Sequence, residues 1–251
     1  MAEHSTTAKP TLVLLHGWGL NQGVWSEVQQ QLAGDFQVLA LDLPGFGLSR
    51  QFPPAYRLDE VLSQLAAQLP EQSYLCGWSL GGLLAIALAA TYPDKVKQLA
   101  LVAATPKFLA TDDWPGMRAE VMQQFASALS QNLPQTIQRF LAIQALGSEH
   151  AKQDILKLRD SIAHFPEAQP QAVVQALTLL ADTDLRQQFA ALTQPVVGCY
   201  GRLDSLVPVA VLPLLQQLQP AAKLTVLAKA SHAPFISHPG EFCQWLRSAL
   251  Q

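Results

Sequence analysis

The chain has 251 residues, of which 49% are hydrophobic and only 14% are charged, and its formal net charge is −3 at pH 7. This length suits one α/β domain with a large core, and the lack of a basic run or stripe argues against a nucleic-acid partner. No apolar run is long enough to cross a bilayer, and the opening residues MAEHSTTAKP lack the apolar segment of a secretory signal. We therefore expect a cytoplasmic monomer that contacts neither nucleic acid nor a membrane.

Short apolar runs alternate with helical patterns in the first half of the chain. Strands of a parallel sheet that is covered on both faces are expected to be apolar almost throughout. The predicted strands are residues 11–16, 36–42, 73–78 and 97–104. The predicted helices between them are residues 24–33, 58–69 and 80–92. This alternation favours a doubly wound, mostly parallel α/β sheet.

The alternation stops after residue 105. From about 112 to 190 the pattern is helical, in four stretches that prolines separate, and it predicts an insertion that could cover a site at the strand ends. Strands resume at 195–201 and 223–228, and a helix closes the chain at about 239–250. We therefore predict an α/β core interrupted by a helical cap. Its parts are core residues 1–110, cap residues 111–190 and core residues 191–251.

A serine between two glycines lies where the third predicted strand meets the following helix, in the segment GWSLG at residues 77–81. In a G-x-S-x-G elbow the serine occupies a sharp, strained turn, and small residues on either side let the backbone pass. The hydroxyl would stand at the carboxyl edge of the sheet and at a helix N-terminus, which favours negative charge. We predict Ser79 as a nucleophile, with a structural helix-capping serine as the alternative.

A serine nucleophile needs a base, and the chain has six histidines. His232, in the segment KASHAPF, follows the last predicted strand and would lie at the same sheet edge. His16 ends the first predicted strand, and His238 is expected to begin a helix. The other three lie in the polar tail or the cap: His4, His150 and His164. We predict His232 as the base, with an ordinary loop histidine as the alternative.

The acid that orients this base is expected after a strand between the serine and the histidine. Asp204, in CYGRLDSLVP, has that position. Three apolar neighbours are expected to desolvate its carboxylate: Leu203, Leu206 and Val207. Asp182 and Asp184 belong to the cap, and Asp42 is expected to stabilise the turn LDLPGFG. The order serine, aspartate, histidine along the chain is that of α/β-hydrolases.

A tetrahedral intermediate needs two fixed N–H donors. One is expected to be the amide of Leu80, directly after the serine. The other is expected from the loop HGWGLN, where Gly17 and Gly19 let the backbone turn the Trp18 amide inward while its indole walls an acyl pocket. A glycine loop that only turns the chain is the alternative. Because the three cysteines lack a CxxC spacing, the sequence predicts buried reduced thiols, no metal and no cofactor.

Seven segments carry a family resemblance: LLHGWGLNQGVW, LDLPGFGLSR, GWSLGGLLA, DDWPG, QRFLAIQALG, YGRLDSLVP and KASHAPFISHPGEFC. From about residue 11 to its end the chain resembles the carboxylesterases of biotin synthesis, the pimeloyl-[acyl-carrier protein] methyl ester esterases. Many α/β-hydrolases share the triad motifs, whereas DDWPG and RFLAIQ are more specific. The resemblance implies removal of a methyl ester from the far end of a pimeloyl chain on acyl-carrier protein. The chain departs from the family at residues 1–10, which leave little room for opening strands.

The resemblance also implies which residues line the substrate site. They are Trp18, Ser79, Leu80, His232 and the cap segment Phe140, Leu141, Ala142, Ile143 and Gln144. Helix-to-core packing is the alternative for the apolar members of that segment.

Four cations cluster in two cap helices and could steer an acidic carrier protein: Arg139, Lys152, Lys157 and Arg159. A solvated helix face is the equally weighted alternative, since Glu149 and Asp154 dilute the patch. A general short-chain carboxylesterase, a carbon–carbon bond hydrolase and a ligand receptor on the same fold stay open as other functions. A haloalkane dehalogenase is disfavoured, because serine and not aspartate holds the nucleophile position.

Overall fold

The computed structural model describes residues 9–250. Within that range, parallel strands form a six-stranded sheet in the order β2-β1-β3-β4-β5-β6. The strands are β1 Thr11–Leu15, β2 Gln37–Leu41, β3 Ser73–Trp78, β4 Val96–Val102, β5 Val196–Gly201 and β6 Lys223–Leu227. The chain moves outward from β1 in one direction and then, from β3, in the other. The doubly wound parallel sheet that the sequence predicts is therefore confirmed.

Helices cover both faces of this sheet. Those of the core are α1 Ser26–Leu32, α2 Leu58–Ala66, α3 Leu80–Thr91, α9 Leu212–Leu218, α10 Pro234–Ser237 and α11 Pro239–Ala249. Helix α3 is buried on every side from Leu80 to Ala89, because it packs between the sheet and the helices outside it. A helix that is apolar all round is suited to that position.

Strand side chains alternate between two separate apolar layers. In β1, Val13 and Leu15 pack in the layer that holds α3, and Leu12 and Leu14 pack in the layer that holds Trp25. Since both layers are dry, strand positions facing either side are mostly apolar, with polar residues such as Lys97 and Lys223 near the amino ends, which is why the sequence shows apolar runs and no strict alternation. The cysteines are free and buried, as predicted, and burial raises the pKa of the Cys76 thiol far above its usual value.

The segment between β4 and β5 is helical. Its helices are α4 Ala119–Gln131, α5 Leu133–Gln144, α6 Ala151–Ile162, α7 Pro170–Asp182 and α8 Arg186–Ala190. The first four match the four predicted stretches, and α8 was not predicted. Backbone and side-chain hydrogen bonds join this cap to the core, including Gln169 N–H to the Gly45 carbonyl (2.8 Å) and the Trp18 indole N–H to the Val173 carbonyl (2.8 Å). Across residues 9–250, every helix is too short or too polar to cross a lipid bilayer.

Candidate active site

Ser79 lies in a sharp turn between β3 and α3. Its φ of 55° and ψ of −119° are strained for a residue with a side chain. The Ser79 amide donates to the Val102 carbonyl on the neighbouring strand (3.0 Å), which holds the turn against the sheet. A Cβ at Gly77 would collide with the Gly81 backbone, so only glycine fits there. The elbow geometry expected from GWSLG is therefore present, and it raises the serine hydroxyl at the carboxyl edge of the sheet.

His232 and Asp204 form a buried pair at that same edge. Nδ1 of His232 lies 2.8 Å from Oδ2 of Asp204, and both side chains are fully shielded from solvent. The other carboxylate oxygen, Oδ1, accepts hydrogen bonds from the backbone amides of Leu206 (2.8 Å) and Val207 (3.0 Å). Because Oδ2 can only accept from the imidazole, the proton of neutral His232 is held on Nδ1.

One part of the acid's predicted environment is wrong. Leu203 was expected to help desolvate the Asp204 carboxylate, but its side chain is 40% exposed. The residues after the aspartate act through their backbone, because the chain turns back there and points two amides at one carboxylate oxygen. These two amides satisfy the hydrogen-bonding capacity of a buried carboxylate oxygen.

The second imidazole nitrogen of His232 is unoccupied. Nε2 is buried and has no hydrogen-bond partner within residues 9–250. The backbone of His232 is held on both sides, since its N–H donates to the Gln144 carbonyl (3.2 Å) and its carbonyl accepts from the Trp78 indole (2.8 Å). Trp78 directly precedes Ser79, so the histidine is bonded to the serine elbow. The arrangement leaves Nε2 able to accept a proton from a group at the elbow.

His16 has another role than that of a base. Its Nδ1–H donates to the Gly17 carbonyl (2.8 Å), and its Nε2 accepts from the Leu43 amide (3.0 Å), so both nitrogens are engaged. Burial is the largest influence on this ring and lowers its pKa below 6.5, although Asp42 acts in the opposite direction. A neutral His16 therefore braces the loop that follows β1.

The other candidate acids are engaged elsewhere. Asp42 accepts from two backbone amides of nearby turns, as predicted for LDLPGFG. Asp182 and Asp184 are exposed on the cap, and Asp184 pairs with Arg186 (2.8 Å). None of these three carboxylates contacts His232 within the described chain.

The two segments expected to supply the oxyanion donors lie beside Ser79. Leu80 begins α3, so its amide belongs to the first turn, where N–H groups have no partner inside the helix. The loop carrying Trp18 passes directly over the elbow, since a Cβ added to Gly17 would lie 3.3 Å from the Ser79 Cβ and 3.1 Å from the Trp78 ring. A side chain at Gly17 would therefore be in tight contact with both the serine and the Trp78 ring.

An apolar cavity of about 270 Å³ lies between the cap and the core. Three aromatic rings form one wall, with Trp18 against Phe140 (4.9 Å between ring centroids) and against Phe125 (5.2 Å). The lining residues are Trp18, Met117, Val121, Met122, Phe125, Phe140, Ile143, Leu146, Leu177, Leu180, Ser205 and Leu206. The cavity thus extends from the oxyanion loop and the residues after Asp204 to the exposed side chains of Val121 and Leu146.

The five residues of the predicted cap segment, 140–144, lie in different environments. Phe140 and Ile143 line this cavity. Leu141 faces a second cavity of about 400 Å³ on the other side of α5, and Ala142 is exposed. Gln144 is buried, and neither atom of its amide has a hydrogen-bond partner within residues 9–250. Because five consecutive helical residues cover more than one turn, they cannot all face one pocket.

Sequence reasoning missed much of the cavity wall. The missed residues are Met117, Val121, Met122, Leu177, Leu180, Ser205 and Leu206. A signal exists for one row, since Met117, Val121 and Phe125 recur at intervals of four, which is typical of one helix face. The sequence does not indicate that this face meets Trp18.

The four predicted docking cations are exposed on two adjacent cap helices. They are Arg139 on α5 and Lys152, Lys157 and Arg159 on α6. Within the described chain none of them forms a salt bridge. Arg139 shares a helix face with Ile143 of the cavity wall, because the two are four residues apart on α5. Arg159 borders the second cavity. In residues 9–250 no group of three or more metal-ligating side chains is arranged to hold an ion.

Comparison with known proteins gives two kinds of relative. The sequence model of the alpha/beta hydrolase fold family matches residues 10–239. A pimeloyl-[acyl-carrier protein] methyl ester esterase of Aeromonas salmonicida is 49% identical over 239 residues, which cover 95% of this chain and 94% of that protein. The protein of the same name from Citrobacter koseri is 42% identical and covers 96% and 93%.

Solved structures share the fold at lower identity. An esterase from Exiguobacterium antarcticum superposes with a TM-score of 0.83 at 23% identity, covering 96% of this chain and 91% of that one. A bromoperoxidase from Bacillus anthracis also reaches 0.83 at 23% identity, covering 97% and 92%. One of these neighbours is named an esterase and the other a bromoperoxidase. Their likeness to this chain therefore supports the fold and not a particular reaction.

Proposed function

This chain belongs to the α/β-hydrolase family, among the pimeloyl-[acyl-carrier protein] methyl ester esterases, and on that basis we propose that it hydrolyses the methyl ester of a pimeloyl chain carried by acyl-carrier protein. The observation that carries this proposal is the buried Asp204–His232 pair, whose Nε2 has no hydrogen-bond partner in residues 9–250 and whose backbone carbonyl is bonded to Trp78, the residue before Ser79. An esterase of this fold needs that pair, a nucleophile and an oxyanion hole. Ser79, Leu80 and Trp18 supply the remaining parts.

In the first half of the reaction, Ser79 Oγ attacks the ester carbonyl while His232 Nε2 takes the hydroxyl proton. Asp204 orients the ring and stabilises the imidazolium that forms. The negative oxygen of the tetrahedral intermediate is held by the amides of Leu80 and Trp18. His232 then returns the proton to the departing methoxide, which leaves as methanol, and the acyl group remains bonded to Ser79 as an acyl-enzyme.

In the second half, water attacks the acyl-enzyme with His232 as general base. Collapse of the second intermediate returns the proton to Ser79 Oγ and releases the carboxylic acid. The residues of the site need no cofactor for either step, since every proton is exchanged between Ser79, His232, water and the leaving group.

The apolar cavity is proposed to hold the polymethylene part of the acyl chain. Its walls are the rings of Trp18, Phe125 and Phe140 and the aliphatic side chains around them. Each buried methylene contributes roughly 0.8 kcal/mol, so an apolar wall favours a chain over a small acyl group. The unpartnered Gln144 amide offers a hydrogen bond to an oxygen of the substrate.

The carrier protein is proposed to dock on the cap. Carrier proteins are acidic, and the exposed cations of α5 and α6 complement them. Arg139 stands on the face of α5 that continues into the cavity wall, so a docked carrier would lie beside the mouth formed by Val121 and Leu146.

The decisive experiment compares carrier-bound pimeloyl methyl ester with p-nitrophenyl esters of increasing acyl length. We expect the carrier-bound ester to have the highest kcat/KM and the artificial esters to show a preference for acyl chains that fill the cavity. Equal or better kcat/KM on a p-nitrophenyl acetate than on the carrier-bound ester would instead assign a general short-chain esterase.

A further inference from the structure

The hydroxyl of Ser79 and the imidazole of His232 belong to segments far apart in the chain, so something must fix the distance between them. The side-chain end of His232 is set by Asp204. Its backbone carbonyl accepts a hydrogen bond from the Trp78 indole Nε1–H at 2.8 Å, in a fully dry environment. Within the described chain this bond runs directly from the strand that bears the serine to the loop that bears the base.

The indole is itself held rigidly at the end of β3. Trp78 pairs with Val102 on β4, and its ring packs edge-on against Phe235 with 4.9 Å between centroids. On the other side, Gly17 is close enough that an added Cβ would lie 3.1 Å from the ring. Adjacent Cα atoms are about 3.8 Å apart, so the ring is anchored one residue from Ser79. The hydrogen bond from Trp78 therefore fixes the position of the His232 carbonyl relative to the backbone of the serine elbow.

Within the described chain, the cap makes no hydrogen bond to the His232 carbonyl. The cap holds the other end of the same residue, since the His232 N–H donates to the Gln144 carbonyl at a longer 3.2 Å. Segments that cover an active site commonly move when substrates bind, and this contact belongs to such a segment. The hydrogen bond from Trp78, which belongs to the core, keeps the imidazole aligned with Ser79 when the contact with Gln144 changes.

We propose that Trp78 is a positioning residue, whose indole N–H holds the His232 backbone so that Nε2 meets Ser79 Oγ in the transition state; this inference rests on the proposed serine mechanism. Misplacement of reacting groups by about 1 Å costs on the order of a hundredfold in rate. Loss of the bond therefore lowers kcat about 10- to 100-fold. KM for ester substrates changes less than about twofold, because the ring does not border the cavity.

The test is Trp78→Phe, which removes the indole N–H and keeps an aromatic ring against Phe235. The chain offers a matched control in Trp25→Phe. Trp25 is also fully buried and packs on the same Phe235 (4.2 Å between centroids), but its indole N–H has no hydrogen-bond partner within residues 9–250. Both variants thus lose similar volume from the same apolar layer, and only one loses a bond to His232.

We expect kcat to fall in Trp78→Phe and to stay within about threefold of wild type in Trp25→Phe, with KM nearly unchanged in both. The downfield proton resonance of the His232–Asp204 bond should persist in Trp78→Phe, since that bond is untouched. An equal loss of kcat in both variants would assign the effect to core packing and overturn the proposal. Unchanged kcat in Trp78→Phe, or a change confined to KM, would also overturn it.

Two further measurements separate the role of Trp78 from a failure to fold and from a failure of the serine mechanism. If Trp78→Phe does not fold, benzothienylalanine at position 78 replaces the indole N–H by sulfur with almost the same shape. The same fall in kcat is then expected, and its absence counts against the proposal. Turnover by Ser79→Ala is measured in parallel: an active Ser79→Ala would contradict the serine mechanism itself, whereas an inactive one with a normal Trp78→Phe contradicts only the role of Trp78.

Discussion

The Asp204 carboxylate divides its two oxygens between different donors, and this division fixes the state of His232. Oδ1 is occupied by the amides of Leu206 and Val207, and Oδ2 lies 2.8 Å from His232 Nδ1. The ring therefore keeps its proton on Nδ1 and presents a bare Nε2, which has no other partner in residues 9–250. Because Oδ2 of Asp204 accepts the Nδ1 proton of His232, Nε2 of the same ring is left free to take a proton.

This division predicts the effect of Asp204→Asn. The amide oxygen of asparagine should stay with the two backbone amides, which need an acceptor, and its NH₂ group would then face His232 Nδ1. That nitrogen must become the acceptor, so the proton moves to Nε2 and the base is lost. We expect kcat to fall by about four orders of magnitude with the fold retained. Steady-state hydrolysis and circular dichroism measure the two quantities.

Asp184→Asn is the matched control, because it makes the same change in a carboxylate that pairs with Arg186 on the cap surface. Its activity should stay close to wild type. A nearly normal Asp204→Asn together with an inactive Asp184→Asn would show that the acid is misassigned.

Ser79→Ala should abolish ester hydrolysis and leave the protein folded. Alanine meets the same backbone strain at a φ of 55° as serine does, so stability should change little. Removal of a member of a serine triad typically lowers turnover by about four to six orders of magnitude. A serine-directed phosphonate should label the wild type and Ser205→Ala but not Ser79→Ala, as read by mass spectrometry. Ser205 is the fitting control, because it is a serine that lines the apolar cavity. Wild-type turnover by purified Ser79→Ala would rule out the mechanism.

The positions of the strands and the elbow could be predicted because their signals are local. Apolar runs, a glycine-flanked serine and a histidine after the last strand each lie within a few residues. The direction in which a cap helix faces is not local, because it depends on the rotation of that helix against a distant surface. Ile143 therefore meets the cavity while Leu141, two residues earlier, faces the opposite side of α5.

Short and backbone-mediated features escaped prediction for related reasons. Helix α8 has five residues, too few to show a helical period. The bonds that hold His232 use the carbonyl of Gln144 and the indole of Trp78, and a backbone carbonyl leaves no signature in the sequence. The exposure of Leu203 could not be read from its apolar character, since a folded surface always includes apolar side chains.

Stability should depend on pH through His16. Burial lowers the pKa of this ring below its ordinary 6.5, so the folded state stays neutral where the unfolded chain takes up a proton. The unfolded state then binds more protons, and the free energy of unfolding falls as pH drops below about 6.5, by up to about 1.4 kcal/mol per pH unit. His16→Asn should be less stable at pH 7, because it loses two hydrogen bonds, but it should lose less further stability between pH 6.5 and 5. Urea unfolding at several pH values measures this.

His150→Asn provides the comparison for that experiment, because it removes an exposed histidine directly before α6. Its pH dependence should follow the wild type. An equally steep decline in His16→Asn would show that other groups cause the acid sensitivity.

The cap cations should matter for a carrier-bound substrate and not for a small one. Each exposed ion pair contributes only about 0.2–1 kcal/mol, so a single substitution is a weak test. Reversing Arg139 and Lys152 together to glutamate should lower kcat/KM on carrier-bound ester several-fold. Added salt should affect this variant less than the wild type, because salt screens the attraction that it has lost. Hydrolysis of a small p-nitrophenyl ester should hardly change, since neither side chain touches the triad.

A matched charge reversal separates docking from net charge. Lys97 and Lys223 are exposed near the amino ends of β4 and β6, at the sheet edge opposite the elbow. Reversing both to glutamate changes the total charge by the same amount, and kcat/KM on the carrier-bound ester should stay near wild type. An equal loss in both double variants would mean that long-range charge, not a docking face, sets the encounter rate. No loss in the Arg139 and Lys152 variant would identify those cations as a solvated helix face, because a docking contact must lose attraction when its charge is reversed.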